Sequence, residues 1–307
     1  MYSLCTPKTS QLIKLPKPIL LGIAKDNYLN QNGTHSILRD PQHLGSKIDL
    51  KFGQDIVHGH RLVPIDYDMG SNINELKNRF LELKRIFGSG DKSGVVEKIF
   101  LKFMSPARTN VEYFSDEKLN AKAENHTNIK FFCEAAAKKI INSLSIHKND
   151  NSALLGPLKT QPLIRADEFS ILPPPSPITN LGVPAFNLGS KVRTTGDFDN
   201  GLGVLINGVQ YVYIFVDQVG FDYSGTPKLE LRFVFYDVFG LDDDDLKEYG
   251  TKLTTFGTSA AKGINAWWQL QHQFNFKPLI TRIVLKKQYT FYNQIFTNRG
   301  LGYGFAF

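Results

Sequence analysis

The densest run of carboxylates in the chain is Phe235-Tyr-Asp-Val-Phe-Gly-Leu-Asp-Asp-Asp-Asp245. If residues 228–239 form a strand, alternation places Asp237 on the same face as Leu229, Leu231, Phe233, Phe235 and Phe239. A carboxylate on an apolar face is costly unless it is hydrogen-bonded, paired or bound to a metal. Asp242 to Asp245 follow at the end of that strand, and a cation would relieve their mutual repulsion. Hard cations prefer such oxygens, so Asp237, Asp242 and Asp245 are candidate ligands for Mg2+ or Ca2+. Asp237 is also a candidate catalytic carboxylate. The plainer reading makes Asp237 the cap of a turn and the run a helix N-terminus, where negative charge is favoured. The spacing is not that of an EF-hand, which needs alternate ligands, a central Gly and a terminal Glu.

A second stretch, Ala266-Trp-Trp-Gln-Leu-Gln-His-Gln-Phe274, puts Trp268 and His272 one helical turn apart. His272 is a candidate general acid or base, and its alternative is a structural histidine against an indole. Gln271 falls on the apolar stripe of this helix, so its amide is expected to bond something buried. His58-Gly-His60 reads as a polar loop, and no second histidine stands near His272 to complete a zinc site. The chain has no Walker A loop, no GxGxxG after a strand, no GxSxG elbow and no HExxH. Two cysteines, Cys5 and Cys133, make neither a disulfide framework nor a four-cysteine zinc site.

The elements that must position these residues follow from hydrophobic period. The 307 residues are 42% hydrophobic and 21% charged, the composition of a globular protein. Residues 1–65 read as an irregular arm, with one strand over 47–53 and a strap formed by Ile19, Leu20, Leu21 and Ile23. Residues 66–147 read as a helical domain. Ile73, Leu76, Phe80, Leu83 and Phe87 repeat at helical spacing, a second helix spans 94–104, and a strong stripe runs from Ile129 to Leu144. Residues 148–187 read as a linker containing Leu172-Pro-Pro-Pro-Ser-Pro177. Residues 188–307 read as a β-rich domain. Its expected parts are a hairpin turning at Asn207-Gly208 between 204–206 and 209–215, a strand over 228–239, a helix over 258–275, a strand over 279–292 and a closing strand at 301–307. The fold class is therefore α+β: a small helical domain, then a mainly antiparallel sheet, curled or partly closed into a barrel, with one packed helix.

No apolar run is long enough for a transmembrane helix, and lysines and prolines interrupt the first 25 residues, a poor secretory signal. The net charge of +7 favours acidic partners, but the basic residues are dispersed, which argues against nucleic acid.

YDVFGLDDDD (236–245) and AWWQLQHQFNFKPLIT (266–281) resemble a bacterial family known as domain of unknown function family 3289. DYDM (66–69) and YFSDEKLN (113–120) extend the likeness over roughly 66–285. The family carries no established activity, and its members look like accessory or toxin-like proteins of Gram-negative bacteria. The C-terminus also resembles colicin-M-type bacteriocins, whose last domain hydrolyses the lipid-linked peptidoglycan precursor. Their motif is Tyr-Asp, five residues, then His-Arg. Here Tyr292-Asn293, four residues, then Asn298-Arg299 matches in type only at Tyr292 and Arg299, which join the candidate catalytic residues.

These resemblances imply a toxin-like, bacteriocin-type effector acting on a competitor's envelope. It would be made in the cytoplasm without a signal peptide, exported by a dedicated apparatus or released by lysis, and active in the target's periplasm. Its implied partners are an immunity protein and an envelope precursor or anionic lipid. If it is an enzyme, the expectation is a metal-assisted phosphoesterase, with Arg282 or Arg299 meeting the phosphate. The alternative is a non-enzymatic binding or adaptor protein of a secretion or phage-like apparatus.

Overall fold

The computed structural model describes residues 11–26, 29, 36–38, 40, 50–59, 72–146, 183–186, 196–221, 227–250 and 257–290. Its strands are β1 (Gln11–Lys25), β2 (Ser36–Leu38), β3 (Leu50–Phe52), β4 (Glu112–Phe114), β5 (Tyr211–Phe221), β6 (Pro227–Phe239) and β7 (Leu279–Thr290). Its helices are α1 (Ile73–Phe87), α2 (Val95–Phe103), α3 (Glu117–Asn125), α4 (Thr127–Ile146), α5 (Asp197–Asn200), α6 (Leu202–Leu205), α7 (Asp243–Tyr249) and α8 (Thr258–His272). Five strands form one curled, half-barrel sheet in the order β1-β5-β6-β7-β4, antiparallel except for the β4–β7 pair. The α+β expectation therefore holds.

Over residues 211–216 of β5 and 233–236 of β6 both faces of the sheet are buried, as these unbroken apolar stretches require. Along β6, Leu229, Leu231, Phe233, Phe235 and Phe239 join the larger core, while Val234, Tyr236 and Val238 face a second cluster with Phe52 and Ile56. The helices cover the first face. Phe80 of α1 stacks on Phe100 of α2 at 4.5 Å, and Phe239 at the end of β6 meets Trp267 of α8 at 4.4 Å. Phe80 and Trp267, 5.5 Å apart, join the two pairs. Gly263 lets α8 approach α1, because a Cβ there would lie 2.5 Å from the Leu83 side chain and 3.0 Å from the Arg79 carbonyl.

Three expectations are corrected by this packing. The helices of 72–146 and the sheet share one hydrophobic core, so the described parts of the expected helical and β-rich domains do not bury their apolar faces separately. The change of hydrophobic period marks a change of element, not a boundary between cores. The arm is not irregular over residues 11–25: β1 pairs with β5 along its length as an edge strand. Its register slips between Lys14 and Ile19, the stretch holding Pro16 and Pro18, and an edge tolerates residues without amide donors. Finally, residues 202–205 are helical, and neither Asn207 nor Gly208 has the positive φ of a type I′ turn. The antiparallel partners of β5 are instead β1 and β6. The proline run at 172–177 and the segment 291–307 lie outside the described residues.

A shared core implies a single unfolding transition. Phe80→Ala should cost about 3–5 kcal/mol, as large-to-small changes of buried aromatics do. Urea denaturation followed by Trp fluorescence and by far-UV circular dichroism should give coincident curves for both proteins. Two separated transitions would show that helices and sheet fold apart.

Candidate functional site

Asp237 interrupts the apolar face of β6 between Phe235 and Phe239 and is 7% exposed. The backbone amides of Val238 and Asn207 donate to its carboxylate, yet burial dominates and raises its pKa well above the usual carboxylate range. The strand then turns at Gly240. A Cβ there would lie 2.2 Å from the carbonyl oxygen of Asp55, so only glycine lets this turn pass so close to the 3-10 turn at Gln54–Ile56.

Gln271 of α8 fixes that approach. Its fully buried amide donates to the carbonyls of Asp55 (2.8 Å), Val57 (2.7 Å) and Leu241 (3.0 Å), and its Oε1 accepts from the Leu241 amide (3.0 Å). Gln210 completes the placement: its Nε2 donates to Asp55 Oδ2 at 2.6 Å. Asp55 Oδ1 is buried and has no hydrogen-bond partner among the described residues. Burial first, then the nearby charges of Asp237, Asp245 and Asp242, hold the Asp55 carboxyl well above its ordinary pKa.

The aspartate run opens α7, as its plainer reading predicts. Asp242 is the N-cap, its Oδ1 accepting from the amides of Asp244 and Asp245, both at 2.9 Å. Asp245 closes a capping box by accepting from the Asp242 amide at 3.1 Å. Asp243 accepts from Trp268 Nε1 at 3.1 Å, and Asp244 pairs with the exposed Lys247. Burial, followed by the Asp242 charge, pushes the Asp245 carboxyl up to about 7.

Asp237, Asp242 and Asp245, widely spaced in role, all line one cavity of about 560 Å3. Asp26, Asp55, Asp244 and Glu248 line it too, so seven acidic residues surround one space. None of the described lining residues is a Lys, Arg or His. Apolar wall comes from Phe87, Val204, Ile264 and Trp267. Among the described residues, no three His, Cys, Asp or Glu side chains are gathered tightly enough to hold a metal ion. The cation expected from the sequence therefore has no preformed cage in the described chain. A phosphate would meet this wall as like charge.

His272 does not line the cavity. Its Nε2 donates to the Leu241 carbonyl at 2.8 Å, and its ring lies 4.7 Å from that of Trp268, which is the structural arrangement its spacing allowed. Arg282 is likewise committed elsewhere. Its Nη1 meets Asp40 Oδ1 at 2.7 Å, both side chains being buried, so it is not placed to receive a phosphate. Tyr292 and Arg299 lie outside the described residues. Sequence reasoning missed Asp55 and Asp26, because both belong to the arm and neither stands in a motif.

No protein-family model matches the chain, and no curated protein or solved structure matches it.

Two kinds of carboxyl give stability opposite pH dependences. Asp91 is pushed up by burial, but Lys122, Ser93 and the Val96 amide outweigh this and hold it at about 2. Its contribution is present above the unfolded value, about 4, and is lost as pH falls towards 2. Asp55, Asp237 and Asp245 are raised, so theirs is fully present below about pH 4 and is lost as pH rises through the folded value, about 7 for Asp245. The melting temperature should therefore be higher at pH 5 than at pH 8. Asp245→Asn, which keeps an oxygen for the Asp242 amide, should flatten that slope and gain on the order of 2–4 kcal/mol at pH 8. Calorimetric scans across this range check the sign, and a Tm that rises from pH 5 to pH 8 contradicts it. Gln271→Leu should cost roughly 2–4 kcal/mol, because it leaves several buried backbone groups without partners.

Proposed function

We propose that the acidic cavity is a hydrolytic site working by carboxyl acid–base chemistry, in a toxin-like effector that acts on a bacterial envelope. The observation that carries the chemistry is the group of carboxyls with raised pKa values in one cavity that no lysine or arginine of the described chain lines. Raised carboxyls in a cleft are what general acid catalysis at neutral pH needs. Asp55 is the acid: its Oδ1, which has no partner among the described residues, gives a proton to the leaving-group oxygen. Asp245, titrating at about 7, is the base that takes a proton from the attacking water. Solvent then returns a proton to Asp55 and removes one from Asp245. Asp237 acts through Asp55, since its charge helps to raise the Asp55 pKa.

The wall's charge favours an uncharged or cationic polymer segment over the phosphate-bearing lipid-linked precursor. A phosphoester would need a bridging Mg2+ or Ca2+ to enter, held by Asp237, Asp242 and Asp245 with rearrangement. The effector setting, with its export, its periplasmic target and an immunity protein as partner, rests on the resemblance at 236–245 and 266–281. The net charge of +7 suits an approach to an anionic envelope. The adaptor reading has one observation in its favour: Asp242, Asp245 and His272 all carry structural hydrogen bonds.

Purified peptidoglycan should release soluble fragments when incubated with the protein, while bis(p-nitrophenyl) phosphate with Mg2+ should not be cleaved. Asp55→Asn should lower the rate by about 100-fold or more, the scale of a lost general acid. Asp237→Asn should keep activity but move the alkaline limb of the pH–rate profile to lower pH. No fragment release, with no growth defect on periplasmic expression, would favour the adaptor. Phosphodiester cleavage that needs Mg2+ would restore the metal site and make Tyr292 and Arg299 the next residues to change.

A further inference from the structure

We propose that the cavity takes an aliphatic ammonium group carried on an apolar stem. The inference rests on the reading of this cavity as the working site, and it names the ligand class rather than the reaction.

The electrostatic argument starts from what faces the space. Asp26 follows β1, Asp55 comes from the 3-10 turn, Asp237 from β6, and Asp242, Asp244, Asp245 and Glu248 from the start and body of α7. Tyr249 lines it as well. From α1, α8 and the segment 203–210 come only apolar or neutral residues: Phe87, Ile264, Trp267, Val204, Asn207 and Gln210 among them. A protein with seven more basic than acidic residues thus gathers seven acidic residues around one cavity whose described lining includes no basic residue. Asp55, Asp237 and Asp245, whose carboxyls are raised by burial, hold their protons more readily than an exposed carboxylate, and a bound cation would displace them.

A second observation points to a ligand independently of that charge. Asp55 Oδ1 is buried at this wall and lacks a partner among the described residues, although Gln210 and Gln271 hold the rest of Asp55 in place. A buried acceptor left without a donor costs about 1–3 kcal/mol, which a ligand N–H would recover.

The geometry selects the kind of cation. Among the described residues, no three carboxylates are close enough to share a bare metal ion. An ammonium group needs less convergence, because it donates three separate hydrogen bonds to oxygens spread around it. Phe87, Val204, Ile264 and Trp267 offer the apolar wall that a methylene stem would cover, and an indole face is a favourable neighbour for a cation. The same chemistry is found in a free diamine and in a lysine side chain.

The full-length protein is scanned with cadaverine, with N-acetyl-lysine amide, with 1,5-pentanediol and with Mg2+, each at about pH 8 and about pH 5, bracketing the carboxyl titration. Cadaverine should raise the melting temperature at the higher pH, bind at least about tenfold more weakly at the lower one, and release protons when titrated calorimetrically near neutrality. Pentanediol should have no effect. Asp55→Asn, which keeps an oxygen for Gln210, should weaken cadaverine about tenfold, and Asp245→Asn should do so in a protein that is more stable at pH 8. Lysine amide binding as tightly as cadaverine assigns a peptide side chain as the source, and cadaverine binding alone assigns a free diamine. The proposal falls if neither amine shifts the melt, if Mg2+ shifts it as much as the amine, or if amine binding survives both substitutions. The readout is binding, so amine binding without peptidoglycan cleavage would sink only the hydrolytic reading. Cleavage without amine binding would sink only this one.

Discussion

The Gln271 amide is the contact on which the acidic cavity depends. It reaches from α8 to the backbone of Asp55 and Val57 on one side and to both backbone groups of Leu241 on the other. These are three segments far apart in the chain, and two of them bear carboxyls that repel one another. Left to electrostatics alone, the 3-10 turn and the β6–α7 turn would separate. Neutral hydrogen bonds in a dry interior are strong enough to oppose this, since breaking any of them would leave a backbone group buried without a partner. Gly240 is the steric condition for the same contact, because any side chain there would strike the Asp55 carbonyl.

Around that pin the aromatic core supplies rigidity. Phe239 and Trp267, in contact at 4.4 Å, belong to the two elements that flank the cavity, and Phe80 and Phe100 pack against both. The apolar face of β6 thus runs directly into the carboxyl of Asp237. The aromatic contacts among Phe80, Phe100, Phe239 and Trp267 contain no ionisable group, so they do not depend on the charge state of the carboxyls beside them.

Much of this was legible from local pattern. Alternation along 228–239 puts Asp237 on the buried face, the aspartate run caps a helix, and Gln271 bonds buried groups because its stripe is apolar. What escaped the sequence depends on pairing between distant segments. Asp55 reaches the site only because Gln210 and Gln271, more than 150 residues away, hold it there. β1 was hidden by Pro16 and Pro18, which an edge strand tolerates but a sequence window reads as a breaker. Asn207-Gly208 resembled a turn, yet Leu202 and Leu205 bury themselves in the core as a helical turn instead. The apparent domain boundary had the same origin: α1 packs on α8 across the gap in sequence, so the switch of period lies inside one core.

The double duty of Asp245 links fold and chemistry. As the third residue of α7 it must accept from the Asp242 amide, a bond that favours its ionised form. Burial and the Asp242 charge work against ionisation and win, bringing the group to about 7. A helix cap alone would settle near the ordinary carboxylate value, and a buried carboxyl alone would stay protonated. The balance between them is what brings the group's titration near neutrality. The structural role of the aspartate run and the chemical role proposed for it are therefore not competing explanations. The cap fixes where the carboxyl stands, and the cavity fixes what it can do there.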